Sequence, residues 1–539
     1  MFNRSTNLIL GLILLTVAAI KVVIAFRLLE VGVPFIFGDA YVYTSKALAL
    51  INEGHLGYQV NHYGGPSVPP LFSILISVPI IFAQLIGDFS NFSLSYHFLI
   101  VGNVVLSLLS IVFAYALANH WVGPAKALFP AVLVALYSAG WGYSTTLLSE
   151  NIFIPVVLLF FLALKSFDER EDETAALMLT IVTPIVLGAK VVGIAALFTL
   201  AVYAIYRFAT KRKAPLFALF VGITVSLIIM FSSEQIAPEI LTGYDVSKYR
   251  GQLFANFTDF TEFKGMILSG LRQLGFLSLA TLGLPLAGAL AAGKKERGFT
   301  IALATFTICL LGFSVLHLNI FSKIDPDRYI VYGRYLDGIV PVILAVGSAA
   351  LLRNGLSHKL TAAYFAFFAA ITILFFPFLR SLDPINNYGV FFIANHSVHF
   401  AVPLVISILL FITVLLSRKY MAALLLIVFV WVSAVSSIGA TKYNLHEASI
   451  FKQKIAWAYD LPQGEVAFYV PTTQDLWDYE LTQEWWGAST WLNHRIKLIH
   501  ELDEAENSSY LVVPKELPIS GQQIGEGEGV FVYDLRTQT

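Results

Sequence analysis

A single cysteine, Cys309, in 539 residues removes two classes of function at once. It lies in an apolar run, so the chain can build neither a disulfide framework nor a thiolate metal site. Charge is also scarce. Only 13% of residues are charged and 57% are hydrophobic, whereas soluble domains carry about 25% charged residues. The formal net charge of −1 leaves no basic excess for a nucleic-acid partner. No repeat of fixed period runs along the chain, which argues against a transporter built from inverted halves. The mean hydropathy of +0.74 is that of an α-helical polytopic membrane protein.

Apolar segments fall at about 8–28, 96–118, 126–146, 151–166, 175–189, 191–209, 214–231, 272–292, 299–317, 337–353, 359–379, 398–417 and 420–439. They predict about 13 spans. The first follows Arg4 and resembles a signal peptide, but it lacks a cleavage pattern and is long enough to span, so it is read as an anchor. Basic loops occur at Lys211-Arg212-Lys213, at Lys294 to Arg297, at Arg353 to Lys359 and at Arg418-Lys419. The positive-inside rule gathers them with Arg4 in the cytoplasm only if a further apolar stretch, about 70–86, does not cross. That stretch is therefore expected to be a helix in the interface or a re-entrant one, which its Pro69-Pro70 start and internal Pro79 suit. The connection Asp168 to Glu173 is acidic, against the trend of its side.

This topology leaves the N-terminus in the cytoplasm of an integral plasma-membrane protein and its polar segments outside. Those are the first outer loop (about 29–95), loops near 232–271, 319–334 and 380–398, and a C-terminal portion. The expected division is a transmembrane domain over 1–439 and a small extracytoplasmic α/β domain over 440–539. Val466–Val470, Tyr510–Val513 and Val530–Tyr533 have strand character, and Gly521 to Gly529 is expected as a flexible Gly/Glu loop. Trp477, Trp485, Trp486 and Trp491 could stack on a sugar ring, although core or interfacial roles are the commoner use of such a cluster.

Ionised groups beside hydrocarbon are costly and need a reason. Asp39 lies just past the first span, where a helical pattern begins and Gly54 ends it; it suits either chemistry or a helix cap. Lys190, Arg328 and Arg334 stand at outer ends of spans, against the charge bias. A guanidinium can grip a phosphate bidentately and tyrosines beside it offer hydroxyl donors, but interfacial snorkelling with Asp325, Asp327 and Asp337 is the alternative. His55, His62, His317, His396 and His399 are all outside, at spacings that match no metal motif, so no metal and no cofactor is expected.

The run Gly38 to Leu50, then Gly54, then Pro69-Pro70-Leu71-Phe72-Ser73-Ile74-Leu75, resembles the first outer loop of the GT-C glycosyltransferases. That superfamily includes the protein O-mannosyltransferases and the lipid A aminoarabinose transferases. The resemblance covers about residues 8–210. It implies juxtamembrane helices in the first loop and a hexosyl- or pentosyltransferase that takes its sugar from a polyprenyl-phosphate carrier on the outer face. The acceptor is a lipid, glycan or protein. Asp39 is implied as the catalytic base or the carboxylate that orients the acceptor, since inverting transfer from a phosphate needs one carboxylate. Glu150, in Leu147-Leu148-Ser149-Glu150-Asn151, matches a Ser-Glu pair of family members and is the second catalytic candidate, its alternative being a solvent-facing turn residue. Lys190, Arg328, Arg334, Tyr335, Tyr41 and His62 are the substrate-binding candidates, with Gly333-Arg334-Tyr335 similar to an Arg-Tyr segment before a late span. Val68 departs from the pattern, where some relatives have an acid or His. A lipid-linked sugar flippase or transporter and a non-catalytic membrane scaffold are the other readings of the chain.

Overall fold

The computed structural model describes residues 4–31, 38–52, 54, 70–86, 92–236, 259–292, 296–321, 331–354, 370, 385–390, 421–459, 461, 465–469, 495–499, 501–513, 522–527 and 530–536. Hydrocarbon offers the backbone no hydrogen bonds, so apolar segments close them internally as helices. In order these are α1 (Arg4–Glu30), α2 (Gly38–Asn52), α3 (Pro70–Ile86), α4 (Phe92–Val122), α5 (Pro124–Leu136), α6 (Ser138–Ser144), α7 (Glu150–Arg170), α8 (Glu173–Ala189), α9 (Ala195–Ala209) and α10 (Leu216–Ile236). There follow α11 (Phe260–Ala280), α12 (Leu284–Ala292), α13 (Arg297–Phe321), α14 (Val340–Asn354), α15 (Met421–Lys454) and the single turn α16 (Ala456–Tyr459).

Among the described residues, five helices are long and apolar enough to cross a membrane, and a sixth span is formed if α5 and α6, bent by 51°, count as one. The chain is a helical polytopic membrane protein. The expected spans 359–379 and 398–417 lie outside the described residues. Pro70 opens α3, where its missing N–H costs nothing, and this helix of 17 residues packs on α2, α4 and α8. Gly54 has φ 74° just past α2, the left-handed stop expected of it.

Three expectations need correction or refinement. The segment 272–292 is not one helix. Leu282 (φ 49°) and Gly283 (φ 78°) turn the chain between α11 and α12, with Leu282 N bonded to Leu279 O and Gly283 N to Ser278 O, a Schellman stop. Helix α15 has 34 residues and runs unbroken through the position 439/440. Gly521–Gly529 is not a free loop, because Gln522–Gly527 forms an edge strand with a bulge between Gln523 and Gly525.

That strand, β4, belongs to a five-stranded sheet with β1 (Glu465–Tyr469), β2 (Arg495–Ile499), β3 (Tyr510–Val513) and β5 (Val530–Asp534). The order is β2-β1-β3-β5-β4, parallel over the first three and antiparallel over the last two pairs. Val466, Phe468, Val512 and Val532 bury one face, with Trp457 of α16 in the same core. The three expected strands are found; β2 and β4 are additional.

Helix α7 is the axis of the helical part, with α4, α8, α13 and α14 around it. At one end, Lys165 bonds Glu296 at 2.5 Å and Glu169 at 3.2 Å, while Trp121 and Arg353 also reach Glu296. Arg207, fully buried, pairs with Asp168 at 2.9 Å and with Glu171. The acidic connection Asp168 to Glu173 is thereby explained: its carboxylates neutralise cations of the basic end from within. Helix packing at this end is close enough that a Cβ at Gly347 of α14 would fall on the carbonyl of Pro285, and one at Gly288 of α12 on that of Gly347.

Candidate functional site

Glu150 opens α7 at the other end, about 27 Å along the helix from Asp168. Its carboxylate is fully buried. Lys190 Nζ donates to its Oε1, Arg334 Nε donates to the same oxygen at 2.7 Å, and Arg334 Nη2 donates to Oε2 at 3.2 Å. Both cations are buried too. Isolated charges at this depth are untenable, so each requires the others.

Local structure explains how they meet. Helices α7 and α8 form an antiparallel pair, so the start of one lies beside the end of the other. Lys190 is the extended residue (φ −158°, ψ 146°) between α8 and a 3-10 turn, Val191–Ile194, and the break aims its side chain across α7. Arg334 lies in a second 3-10 turn, Gly333–Gly338, that leads into α14. A Cβ at Gly333 would fall inside the ring of Phe276, and one at Gly338 would press on Phe153. Glycine at both positions lets the turn lie flat against its neighbours. Asn387 fixes the entry, accepting from Gly333 N at 3.1 Å and donating to Val331 O at 3.0 Å.

One residue beyond Leu336 stands a second buried carboxylate. Asp337 accepts from the hydroxyl of Tyr137 and, at 2.5 Å, from that of Tyr143. Aromatic rings wall the cations: Lys190 lies 5.0 Å over the ring of Tyr335, and Arg334 lies 5.9 Å over that of Tyr332. Tyr335 and His317 share a hydrogen bond of 3.3 Å.

The structure thus brings Glu150, Lys190, Arg334 and Tyr335 together. Burial rules out the solvent-facing turn for Glu150, and Arg334 is inside the protein, where snorkelling has no meaning. Asp39 and Tyr41 fall in the first turn of α2, but their side chains lie outside the described residues, as do His62, Arg328 and the four C-terminal tryptophans. Asp259 caps α11 by accepting from Thr261 N at 2.7 Å. Asp337 entered the sequence reading as a partner for snorkelling cations, and Tyr137 and Tyr143 carried no signal beyond their type. An acid inside the apolar run 337–353 was the available clue. Among the described residues no three of His, Cys, Asp and Glu group as metal ligands.

No family model and no curated protein matches the sequence. Solved structures do. The crystal structure of ArnT from Cupriavidus metallidurans in the apo state matches with a TM-score of 0.57 at 13% identity, covering 98% of each chain. The structure of the same protein bound to undecaprenyl phosphate matches with a TM-score of 0.52 at 16% identity, covering 96% of this chain and 97% of that one. This is the GT-C fold. At such low identity the likeness is one of architecture, and it extends over the C-terminal sheet as well as the helices. Within this fold α2 packs on α3, which in turn packs on α4 and α8.

Proposed function

We propose that the chain is a membrane glycosyltransferase that takes a sugar from a polyprenyl-phosphate carrier on the extracytoplasmic face. The observation that supports this reading best is the buried pair Lys190 and Arg334, held on one carboxylate at the end of the helices opposite the basic loops. A phosphate entering this end meets a guanidinium and an ammonium already desolvated and oriented by one carboxylate, and this pair of cations suits a monoanionic phosphodiester. The GT-C fold, and the undecaprenyl phosphate bound by ArnT, fit that class of carrier.

In this reading Glu150 is the counter-ion that keeps both cations in place. With Lys190 on Oε1 and Arg334 on both oxygens, it is poorly suited to accept a proton. Asp39 takes that role. The acceptor hydroxyl attacks the anomeric carbon and its proton passes to Asp39. The bond from that carbon to the phosphate oxygen breaks, and its electron pair leaves with the polyprenyl phosphate, whose charge Lys190 and Arg334 stabilise. Arg328, Tyr335, Tyr41 and His62 complete the substrate contacts, and the part of 440–539 that follows α15 forms the extracytoplasmic domain.

The test uses purified protein in detergent with radiolabelled polyprenyl-phosphate mannose, glucose and arabinose, and native membranes as the source of acceptor. Transfer by the wild type, lost in Asp39→Asn and in Arg334→Gln, is the expected result. Carrier binding without transfer from any donor would favour a flippase and discard the enzyme.

A further inference from the structure

Lys21 lies inside the first span, about 13 Å from its Glu30 end. A lysine at that depth is costly unless bonded, and this one is buried. It donates to the hydroxyl of Ser107 on α4 and, at 2.5 Å, to the carbonyl of Gly140 on α6, and it lies 4.8 Å over the ring of Trp141. Helix α6 has seven residues and is too short to hold its own orientation. The residue before α6 is Tyr137 and its sixth is Tyr143, the two hydroxyl donors to Asp337.

Other contacts fix α6 from the opposite side. Ser138 Oγ donates to Tyr388 O at 2.7 Å, and the ring of Tyr388 covers Gly142 so closely that a Cβ there would lie 2.6 Å from it. Asn444 of α15 donates to Thr145 Oγ1 at 2.8 Å. Lys21 is the bond from α1 that completes this clamp. A small cavity separates the two ends of the relay, lined by Lys21, Ser107, Tyr137, Tyr143, Glu150 and Asn151.

We propose that Lys21 is a positioning residue: by holding Gly140 and Trp141 it sets the tilt of α6, and so aims Tyr137 and Tyr143 at Asp337 in the turn that carries Arg334. The claim that this affects the carrier phosphate rests on the function proposed above. The geometric claim does not, and the two are tested separately.

The geometric test is 19F NMR of protein labelled with 3-fluorotyrosine, the Tyr143 resonance being assigned by its loss in Tyr143→Phe. Asp337→Asn, which removes the acceptor charge, defines the shift expected when the Tyr143 bond weakens. Lys21→Met should move the Tyr143 resonance toward that position, and Lys21→Arg should restore it. A Tyr143 resonance unmoved in Lys21→Met overturns the proposal. If Lys21→Met does not fold, Lys21→Gln, which keeps a donor for one of the two acceptors, is read in the same way.

The functional test is binding of undecaprenyl phosphate in detergent. Lys21→Met and Tyr143→Phe should each weaken it about tenfold, and the double variant should be no weaker than the poorer single one, as residues acting in series require. Additive losses overturn the relay. Absence of binding by the wild type would sink the proposed function and leave the NMR result to decide the role of Lys21.

Discussion

Arg334 reaches Glu150 across 184 residues of chain and sets both Nε and Nη2 on its carboxylate, at 2.7 and 3.2 Å. Lys190 shares the first of those oxygens. One carboxylate therefore secures two cations from different parts of the fold, and its loss strands both in a medium that cannot solvate them.

Glu150→Gln is expected to lower stability by about 3–5 kcal/mol, the cost of leaving buried charge unpaired. Thermal unfolding in detergent measures it. Arg334→Lys keeps the charge and loses the fork, so it should retain more stability than Arg334→Gln while losing affinity for undecaprenyl phosphate. Equal affinity in Arg334→Lys and wild type would show that bidentate geometry is not what holds a phosphate here.

Asp337→Asn removes the charge that two buried tyrosine hydroxyls share. Hydrogen bonds to charged groups are worth about 1.5–3 kcal/mol each, so the variant should lose about 2 kcal/mol or more. Tyr143→Phe should lose less, since Asp337 keeps Tyr137. The order of the three melting temperatures is the check.

Gly347→Val drives a branched side chain into the carbonyl of Pro285 where α12 and α14 touch backbone to backbone. Overpacking of this kind costs about 1–3 kcal/mol. Because α14 follows directly on the turn of Arg334, affinity for undecaprenyl phosphate should fall as well, whereas a change confined to stability would separate the two.

Lys46, on α2 in the first loop, is buried, and desolvation pulls its ammonium down to about 8. Below that value the folded state must carry a charge that the unfolded chain carries at no cost, so folding is penalised. Between pH 8 and the ordinary lysine value of about 10.5 the unfolded chain binds more protons, and stability rises with pH. The melting temperature should climb over that window more steeply in wild type than in Lys46→Met. Parallel curves would remove Lys46 from the account.

Topology is open to direct labelling. In a Cys309→Ala background, cysteines placed at Arg212 and at Asp503 should react with an impermeant maleimide from opposite sides of sealed vesicles. Reaction from the same side would overturn the outer placement of the C-terminal sheet.

Much of the helical fold was legible because hydropathy reports spans directly. Segments such as 96–118 and 299–317 lie within α4 and α13. The break at Leu282–Gly283 was hidden, since a leucine in the left-handed region carries no sign of it and apolar residues continue on both sides. Strand β2 fell among tryptophans and β4 among glycines, compositions that disguise an edge. Of the site, Glu150, Lys190 and Arg334 were each legible as charges at span ends, but not their meeting, which depends on the extended residue after α8 and on a turn pressed flat against Phe276 and Phe153. Lys21 was not picked out of its apolar run, and Asp337 was read as a partner for cations; their bonds gave them a place.

Helix α7 has 89% of its apolar window buried, against 17% for α1. It is a strut that meets protein along nearly its whole length, pinned at one end by Glu150 and at the other by Lys165 and Asp168. A bilayer that thickens or thins loads the outermost helices first, because mismatch is felt through lipid contact. The site is therefore mounted on the member least strained by its surroundings, and its geometry is insulated from changes in membrane thickness that would tilt α1.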